Sequence, residues 1–329
     1  MQVTILTEAE IRQCVEMDQE AIAVVEEGFT RLADGEVTVP PIVCVDIPEH
    51  KGAVDIKTAH IRGLDSFAIK IASGFFDNYR LGLPTGSGMM VVVSAKTGFF
   101  EAVLLDNGYL TDVRTGAAGA LAARYLAREE IETAGVIGSG TQARYQMVAL
   151  KQVRDFRQLM IYSRTPEKVE AYVSQMAPML GVEIVKAEDA ETVVRNSDVV
   201  VTTTPSREPY VKAEWLHPGL YITAMGSDTE EKQELYADVL GRADLLVCDL
   251  KSQCFRLGEL HHGLEEDIIS QDDEIIELGE LTSGRKPGRR SDEEITVCDL
   301  TGVGVQDTAI ALLAYRKAME KGLGLQIQV

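Results

Sequence analysis

Ala134-Gly135-Val136-Ile137-Gly138-Ser139-Gly140-Thr141-Gln142-Ala143 is the stretch on which the fold turns. An apolar run of strand type, Thr133–Ile137, meets two glycines one residue apart, and a helical pattern over 141–153 begins directly behind them. In such a turn the first glycine permits the tight reversal and the second lets the backbone approach a pyrophosphate. The alanine lets the helix pack on the strand. A phosphate bridge then rests on the N–H groups of the helix N-terminus. A glycine turn alone is a weak signal. The strand before it and the helix after it give it weight, and they predict dinucleotide binding at Gly138, Gly140, Thr141, Gln142 and Ala143.

Downstream the same alternation continues. Strands are expected over 159–162, 182–186, 199–203, 221–225, 245–248 and 296–298, with helices over 166–180 and 189–196. Alternating strands and helices are the pattern of a doubly wound parallel sheet, the Rossmann type. Its second strand ends Tyr162-Ser163-Arg164-Thr165, with no carboxylate where an NAD site normally places one for the ribose hydroxyls. A hydroxyl pair, Ser163 and Thr165, around Arg164 suits a 2′-phosphate, so NADP(H) is expected over NAD(H). The bland alternative is a solvated surface arginine.

Upstream the chain reads differently. Thr7-Glu8-Ala9-Glu10 has the form of a capping box. A helix over 17–34 stops at Gly35, with Ile22, Val25, Phe29 and Leu32 at helical spacing. Strands over 42–47, 53–58, 67–72, 89–94 and 102–106 predict a small, mostly antiparallel sheet. An Ala-rich helix over 112–127 carries Gly116 and Gly119 for close packing, 284–293 reads as an exposed loop, and 307–321 closes the chain as a helix. The expected architecture is α/β: a Rossmann domain over 113–307, and a smaller α+β substrate and dimerisation domain from 1–112 with 308–329.

Composition narrows the class. The 329 residues are 45% hydrophobic and 26% charged, the balance of a soluble enzyme with two cores. A net charge of −20 argues against a nucleic-acid partner, which needs clustered Lys and Arg. No apolar run approaches membrane length, and the start lacks the basic-then-apolar order of a signal peptide. The cysteines, 5 in all, are scattered with no CxxC pair. Neither a disulfide framework nor a structural zinc site is expected, and a cytoplasmic setting fits.

Candidate chemistry lies in three places. Asp55 and Lys57 share one face of a strand. Lys70 interrupts the apolar run 67–71, so it either snorkels outward or points into a pocket where burial lowers its pKa. Arg114 opens the Ala-rich helix. Asp228 follows the C-terminal end of a parallel strand, the edge where ligands bind in open α/β sheets, although an Asp there is often only a helix cap. His261-His262 beside Gly258-Glu259 reads as a loop rather than a metal site, and no metal is expected. His60 and Cys254 read as structural, and Glu265-Glu266-Asp267 as a solvated face.

Taken together, Gly82-Leu83-Pro84-Thr85, Leu110-Thr111-Asp112-Val113-Arg114-Thr115-Gly116, Gly138–Ala143, Met225-Gly226-Ser227-Asp228 with Lys232, Gly258-Glu259 and Asp299-Leu300-Thr301-Gly302-Val303-Gly304-Val305-Gln306-Asp307 carry a resemblance. The chain resembles the ornithine cyclodeaminase/mu-crystallin family along essentially its whole length. It looks most like the branch found with ectoine and hydroxyectoine utilisation, and is similar to iminosuccinate reductases and archaeal alanine dehydrogenases. The resemblance implies roles. Lys70 would meet the substrate carboxylate or carbonyl and assist proton transfer, Asp228 would be the acid/base at the substrate nitrogen, and Arg114 would contact carboxylate and cofactor. Thr85, Thr115, Thr141, Gln142, Thr203, Ile222, Thr223, Ala224, Met225, Lys232 and Leu300 would line the dinucleotide, and Thr301 the substrate. A homodimer is implied.

Two departures bear on the substrate. Ornithine cyclodeaminases carry a carboxylate-binding arginine where this chain has Val43-Cys44-Val45-Asp46, and the position of their amine-binding glutamate falls at Asp55. With Lys57 added, three cations, Lys57, Lys70 and Arg114, suit a dicarboxylic imine such as iminosuccinate. Ornithine cyclisation with NAD as catalytic cofactor is the competing reading. A non-catalytic ligand binder, like mu-crystallin with thyroid hormone and NADPH, is a third.

Overall fold

The Asp18 carboxylate accepts the Ala21 N–H at 2.9 Å and so starts the helix Gln19–Ala33, which buries Ile22, Val25 and Phe29. In the computed structural model, which describes residues 2–328, that helix belongs to the first of two units. The first unit comprises the chain up to Arg114 and again from Val303 on, and the second is Thr115–Gly302. The last helix therefore joins the first unit from its start, rather than after 307 as the sequence led us to expect.

In the first unit, Gly52–Ile61, Ser66–Phe75, Gly86–Ser94 and Phe100–Leu105 form an antiparallel meander. Val37–Thr38 and Val43–Ile47 pair with its first strand. At the other edge Phe100–Leu105 pairs in parallel with Gln2–Thr7, which pairs antiparallel with Leu325–Gln328. These two outer strands were not legible in the sequence, because their pairing joins segments from opposite ends of the chain. The capping box forms, with the Thr7 N–H donating to Glu10 Oε2 at 2.9 Å. Helix Gly304–Glu320 packs on Gln19–Ala33, and a Cβ at Gly28 would come 3.3 Å from Val305. Its first turn is stitched to the sheet. A Cβ at Gly304 would lie 2.3 Å from the Thr58 carbonyl oxygen. The Thr308 hydroxyl donates to Ala59 O at 2.7 Å and accepts the Ala68 N–H at 3.2 Å.

The second unit is a parallel sheet in the order Glu183–Lys186, Gln158–Tyr162, Thr133–Ile137, Val199–Thr202, Tyr221–Ala224, Thr296–Asp299, Leu245–Cys248, Ile276–Glu277. The strand order reverses between Thr133–Ile137 and Val199–Thr202, the switch point at which such sheets bind ligands. Val199–Thr202 and Tyr221–Ala224 are buried at every position, as parallel strands covered on both faces are. The polar stretch 284–293 is not simply an exposed loop. Arg289 donates to the carbonyls of Leu126 at 2.6 Å and Leu220 at 3.2 Å and to the Thr296 hydroxyl at 2.9 Å, which ties it down. Among the described residues no helix is long and apolar enough to cross a membrane.

Candidate active site

The glycine turn has the shape a pyrophosphate needs. Gly138 sits at φ +118°, and a Cβ there would come 2.4 Å from the Thr203 hydroxyl, so only glycine fits. Gly140 is the N-cap of helix Thr141–Lys151, with no atom within 4 Å of where its Cβ would be and no side chain capping the helix. Open space above uncapped backbone N–H groups fits a dinucleotide phosphate bridge. Ala143, in the first turn of that helix, is fully buried. Sequence reading missed Arg144. It donates to the Gly140 carbonyl at 2.8 Å and to that of Ser139, and it lies over the Tyr172 ring. It thereby ties the carbonyl side of the turn to the helix that follows it.

Beside the turn, the Ser139 and Ser163 hydroxyls are 3.0 Å apart, so the end of the second strand is joined to the phosphate loop. Arg164 next to it is exposed, and Thr165 is the N-cap of helix Pro166–Leu180. Thr203 holds the Ile137 carbonyl through both its N–H (2.9 Å) and its hydroxyl (3.1 Å).

Further along the same edge, Ile222, Thr223 and Ala224 are buried within their strand, and Met225 is the first partly open position after it. Leu300 and Thr301 are also buried. The Thr301 hydroxyl accepts from Gln253 Nε2 at 2.8 Å and donates to Asp249 Oδ1 at 3.1 Å. Asp228 is exposed and pairs with Lys232 Nζ at 2.6 Å. The loop that carries it is anchored by Glu234, a residue that no local sequence pattern singles out. The buried Glu234 carboxylate accepts from Gly226 N–H (2.8 Å), Thr204 N–H (2.6 Å), and the hydroxyls of Thr202 (2.6 Å) and Tyr210 (2.7 Å). Burial raises its pKa, and it raises that of nearby Glu259 and Asp299 further, each charge disfavouring the next.

His261 and His262 lie on a helix, Gly258–Glu265, and not on the expected loop. With Glu265 they bring ligand atoms within 4.8 Å of one another, although His262 Nε2 is engaged by the Lys232 carbonyl at 2.8 Å. Cys254 is buried 3.1 Å from Asp249, and burial pushes its thiol far up, which suits an inert side chain.

The first unit holds the cations. Lys57 and Lys70 face each other across neighbouring strands, and both are buried, at 8% and 2% exposure. Lys70 therefore points inward. Its Nζ lies 3.1 Å from Asp307, whose other carboxylate oxygen is 2.9 Å from Arg114 Nε. Burial drives Lys70 down to about 7, with Arg114 and Lys57 adding to the fall and Asp307 opposing it. Burial alone would raise Asp307, but Arg114, Lys70 and Lys57 hold its carboxyl below the ordinary value. Asp55 lies on the face of Lys57, opposite Cys44. The structure thus brings Lys57, Lys70 and Arg114 together around one carboxylate that sequence reading did not assign. The arrangement can bind and polarise a carboxylate or carbonyl. Thr85 is exposed, its carbonyl accepting the Phe75 N–H at 2.7 Å. In the second unit, the Thr115 carbonyl takes the Gln146 amide at 2.9 Å, and Gly119 makes room for the same side chain.

Comparison with known proteins matches residues 1–322 to the model of the Ornithine cyclodeaminase/mu-crystallin family. An uncharacterised cyclodeaminase of Sinorhizobium fredii is 49% identical over 97% of each chain. The alanine dehydrogenase of Archaeoglobus fulgidus is 39% identical over 100% of this chain and 99% of its own. The iminosuccinate reductase of Paracoccus denitrificans is 31% identical over 81% of this chain and 83% of its own. Among solved structures, Thermococcus litoralis Delta(1)-pyrroline-2-carboxylate reductase with NADH and L-proline superposes with a TM-score of 0.94 at 30% identity, covering 98% of this chain and 100% of that one. An archaeal alanine dehydrogenase dimer with bound NAD gives 0.92 at 38% identity, covering 100% and 99%.

Proposed function

The chain belongs to the ornithine cyclodeaminase/mu-crystallin family, and from that premise we propose that it is an NAD(P)H-dependent imino-acid reductase acting on a dicarboxylic imine such as iminosuccinate. The observation that carries the reading is the buried set of Lys57, Lys70 and Arg114 around Asp307. Lys57, Lys70 and Arg114 form a receptor for anionic groups, and two substrate carboxylates would use it more fully than one.

The bound nicotinamide would supply a hydride to the C=N carbon, with NAD(P)H and one proton consumed and an amine formed. Every other task falls to the chain. The glycine turn and the N-terminus of helix Thr141–Lys151 would hold the phosphates, with Arg144 fixing the turn. Lys70 and Arg114 would hold the substrate carboxylate, and Lys57 the second one. Asp228 would deliver the proton to nitrogen, with Lys232 holding the acid in place. Ser163, Arg164 and Thr165 support a preference for NADP(H). The exposed position of Arg164 leaves it open to a 2′-phosphate. A homodimer in the cytoplasm, serving ectoine or hydroxyectoine breakdown, completes the proposal, supported by the motif resemblance.

The test is a panel of imines and amino acids followed by nicotinamide absorbance with NADH and NADPH. Turnover of iminosuccinate above all monocarboxylic imines is expected, and exclusive turnover of a monocarboxylic imine would end the dicarboxylate reading. The 49% identical cyclodeaminase and the Asp55 carboxylate beside Lys57 favour one alternative, ornithine cyclisation. Ammonia release from ornithine without net NADH would establish it.

A further inference from the structure

We propose that Asp307 is a positioning residue for the reductase chemistry, the fixed counter-anion that holds the Lys70 ammonium and the Arg114 guanidinium where a substrate carboxylate meets them. This rests on the reductase reading above. Asp307 is fully buried, and its two oxygens divide between two cations, 3.1 Å to Lys70 Nζ and 2.9 Å to Arg114 Nε. It does not reach the cations from a flexible segment. Gly304 lies against the Thr58 backbone, and Thr308 is bonded to Ala59 and Ala68. Those contacts fall next to or near Lys57 and Lys70 on their own strands. Gln306, one residue before Asp307, accepts the Val303 N–H at 2.7 Å and donates to the Arg114 carbonyl at 3.4 Å. One helical turn therefore sets the backbone behind both lysines, the backbone of Arg114, and the charge between Lys70 and Arg114.

The position within the helix suits the charge. Asp307 lies in the first turn of helix Gly304–Glu320, where the helix dipole favours an anion. The titratable and charged groups facing it are Lys57 and Lys70 from the two strands and Arg114 from helix Tyr109–Leu126. Asp307 brings one negative charge against the three cationic side chains that face it, so it does not by itself neutralise them. Without Asp307, Lys70 would lose its proton more readily and the guanidinium would lose its anchor.

The first arm of the test needs no substrate. Urea midpoints are measured for the wild type, Asp307→Asn, Lys70→Met and the double variant at about pH 6 and about pH 9, a double-mutant cycle. Coupling between the two positions is expected at the lower pH and is expected to vanish at the higher, where Lys70 is neutral. A coupling that is absent, or equal at both pH values as packing alone would give, overturns the proposal.

The second arm is kinetic. Asp307→Asn should lower kcat/KM for the imine by about 100-fold, a misplacement effect, while NAD affinity stays within about twofold. Asp307→Glu should recover a substantial part of it. If the asparagine variant keeps wild-type kcat/KM, the positioning role is refuted. If the pH-dependent coupling is found but the wild type reduces no imine with either nucleotide, the reductase reading fails and the tie between Asp307 and Lys70 stands.

Discussion

Lys57 and Lys70 sit directly opposite each other on adjacent antiparallel strands, both buried. Like charges so placed destabilise a sheet. Burial adds a desolvation cost for each charge. A pair that costs stability in two ways is worth keeping only where the charge is used. The strands present both side chains to one face because residues in register across a pair project together.

Lys57→Ala separates the substrate readings. If Lys57 takes the second carboxylate, the variant should raise the Michaelis constant for a dicarboxylic imine by about 10- to 100-fold, the loss of one charge-assisted contact. Monocarboxylic imines should be little affected. Steady-state kinetics on both substrate types checks this, and an unchanged constant for the dicarboxylate would refute the role.

The pH dependence follows from Lys70. Its pKa in the folded chain is about 7, below the ordinary 10.5. The ammonium that would bind a carboxylate is therefore present below about pH 7 and lost above it, so kcat/KM should fall as pH rises through that value. The linkage to stability runs the opposite way. Between the two values the unfolded chain binds more protons at this site than the folded one, so this group's contribution to stability increases with pH across that window. Lys70→Met should remove both trends. Rate profiles and urea midpoints across the range are the measurements.

The two glycines of the turn should respond differently to alanine. Gly138→Ala forces a side chain onto a positive φ and into Thr203, and should cost about 1–3 kcal/mol of stability together with dinucleotide affinity. Gly140→Ala meets no atom of the fold, so the melting temperature should hold while the methyl obstructs the phosphate bridge. Thermal melts combined with NAD titration distinguish the cases. Unchanged NAD affinity in Gly140→Ala would place the dinucleotide elsewhere.

Arg164→Ala tests the cofactor preference. The exposed guanidinium can pair with a 2′-phosphate at the strand end. Its removal should weaken NADPH by about tenfold, in line with loss of one exposed charged hydrogen bond, and leave NADH nearly unchanged. Equal affinities for the two nucleotides in the wild type would remove the basis for the preference.

The sequence by itself determined the elements whose cause is local. The alternation of apolar strands with helices from Thr133 onward, and the spacing of Gly138, Gly140 and Ala143, specify a parallel sheet with a phosphate loop, because each feature is written within a few residues. Lys70 and Arg114 were legible as polar groups out of place in apolar or Ala-rich surroundings. Tertiary structure alone decided the rest. It turned Lys70 inward, a choice left open by its neighbours in sequence, because its partner Asp307 stands on the last helix. It also decided that Glu234 anchors the loop carrying Asp228, and that Gln2–Thr7 and Leu325–Gln328 close one edge of a sheet. The physical reason is common to all three. A buried charge or an edge strand is stabilised by a partner whose distance along the chain has no fixed period, so no local pattern announces it.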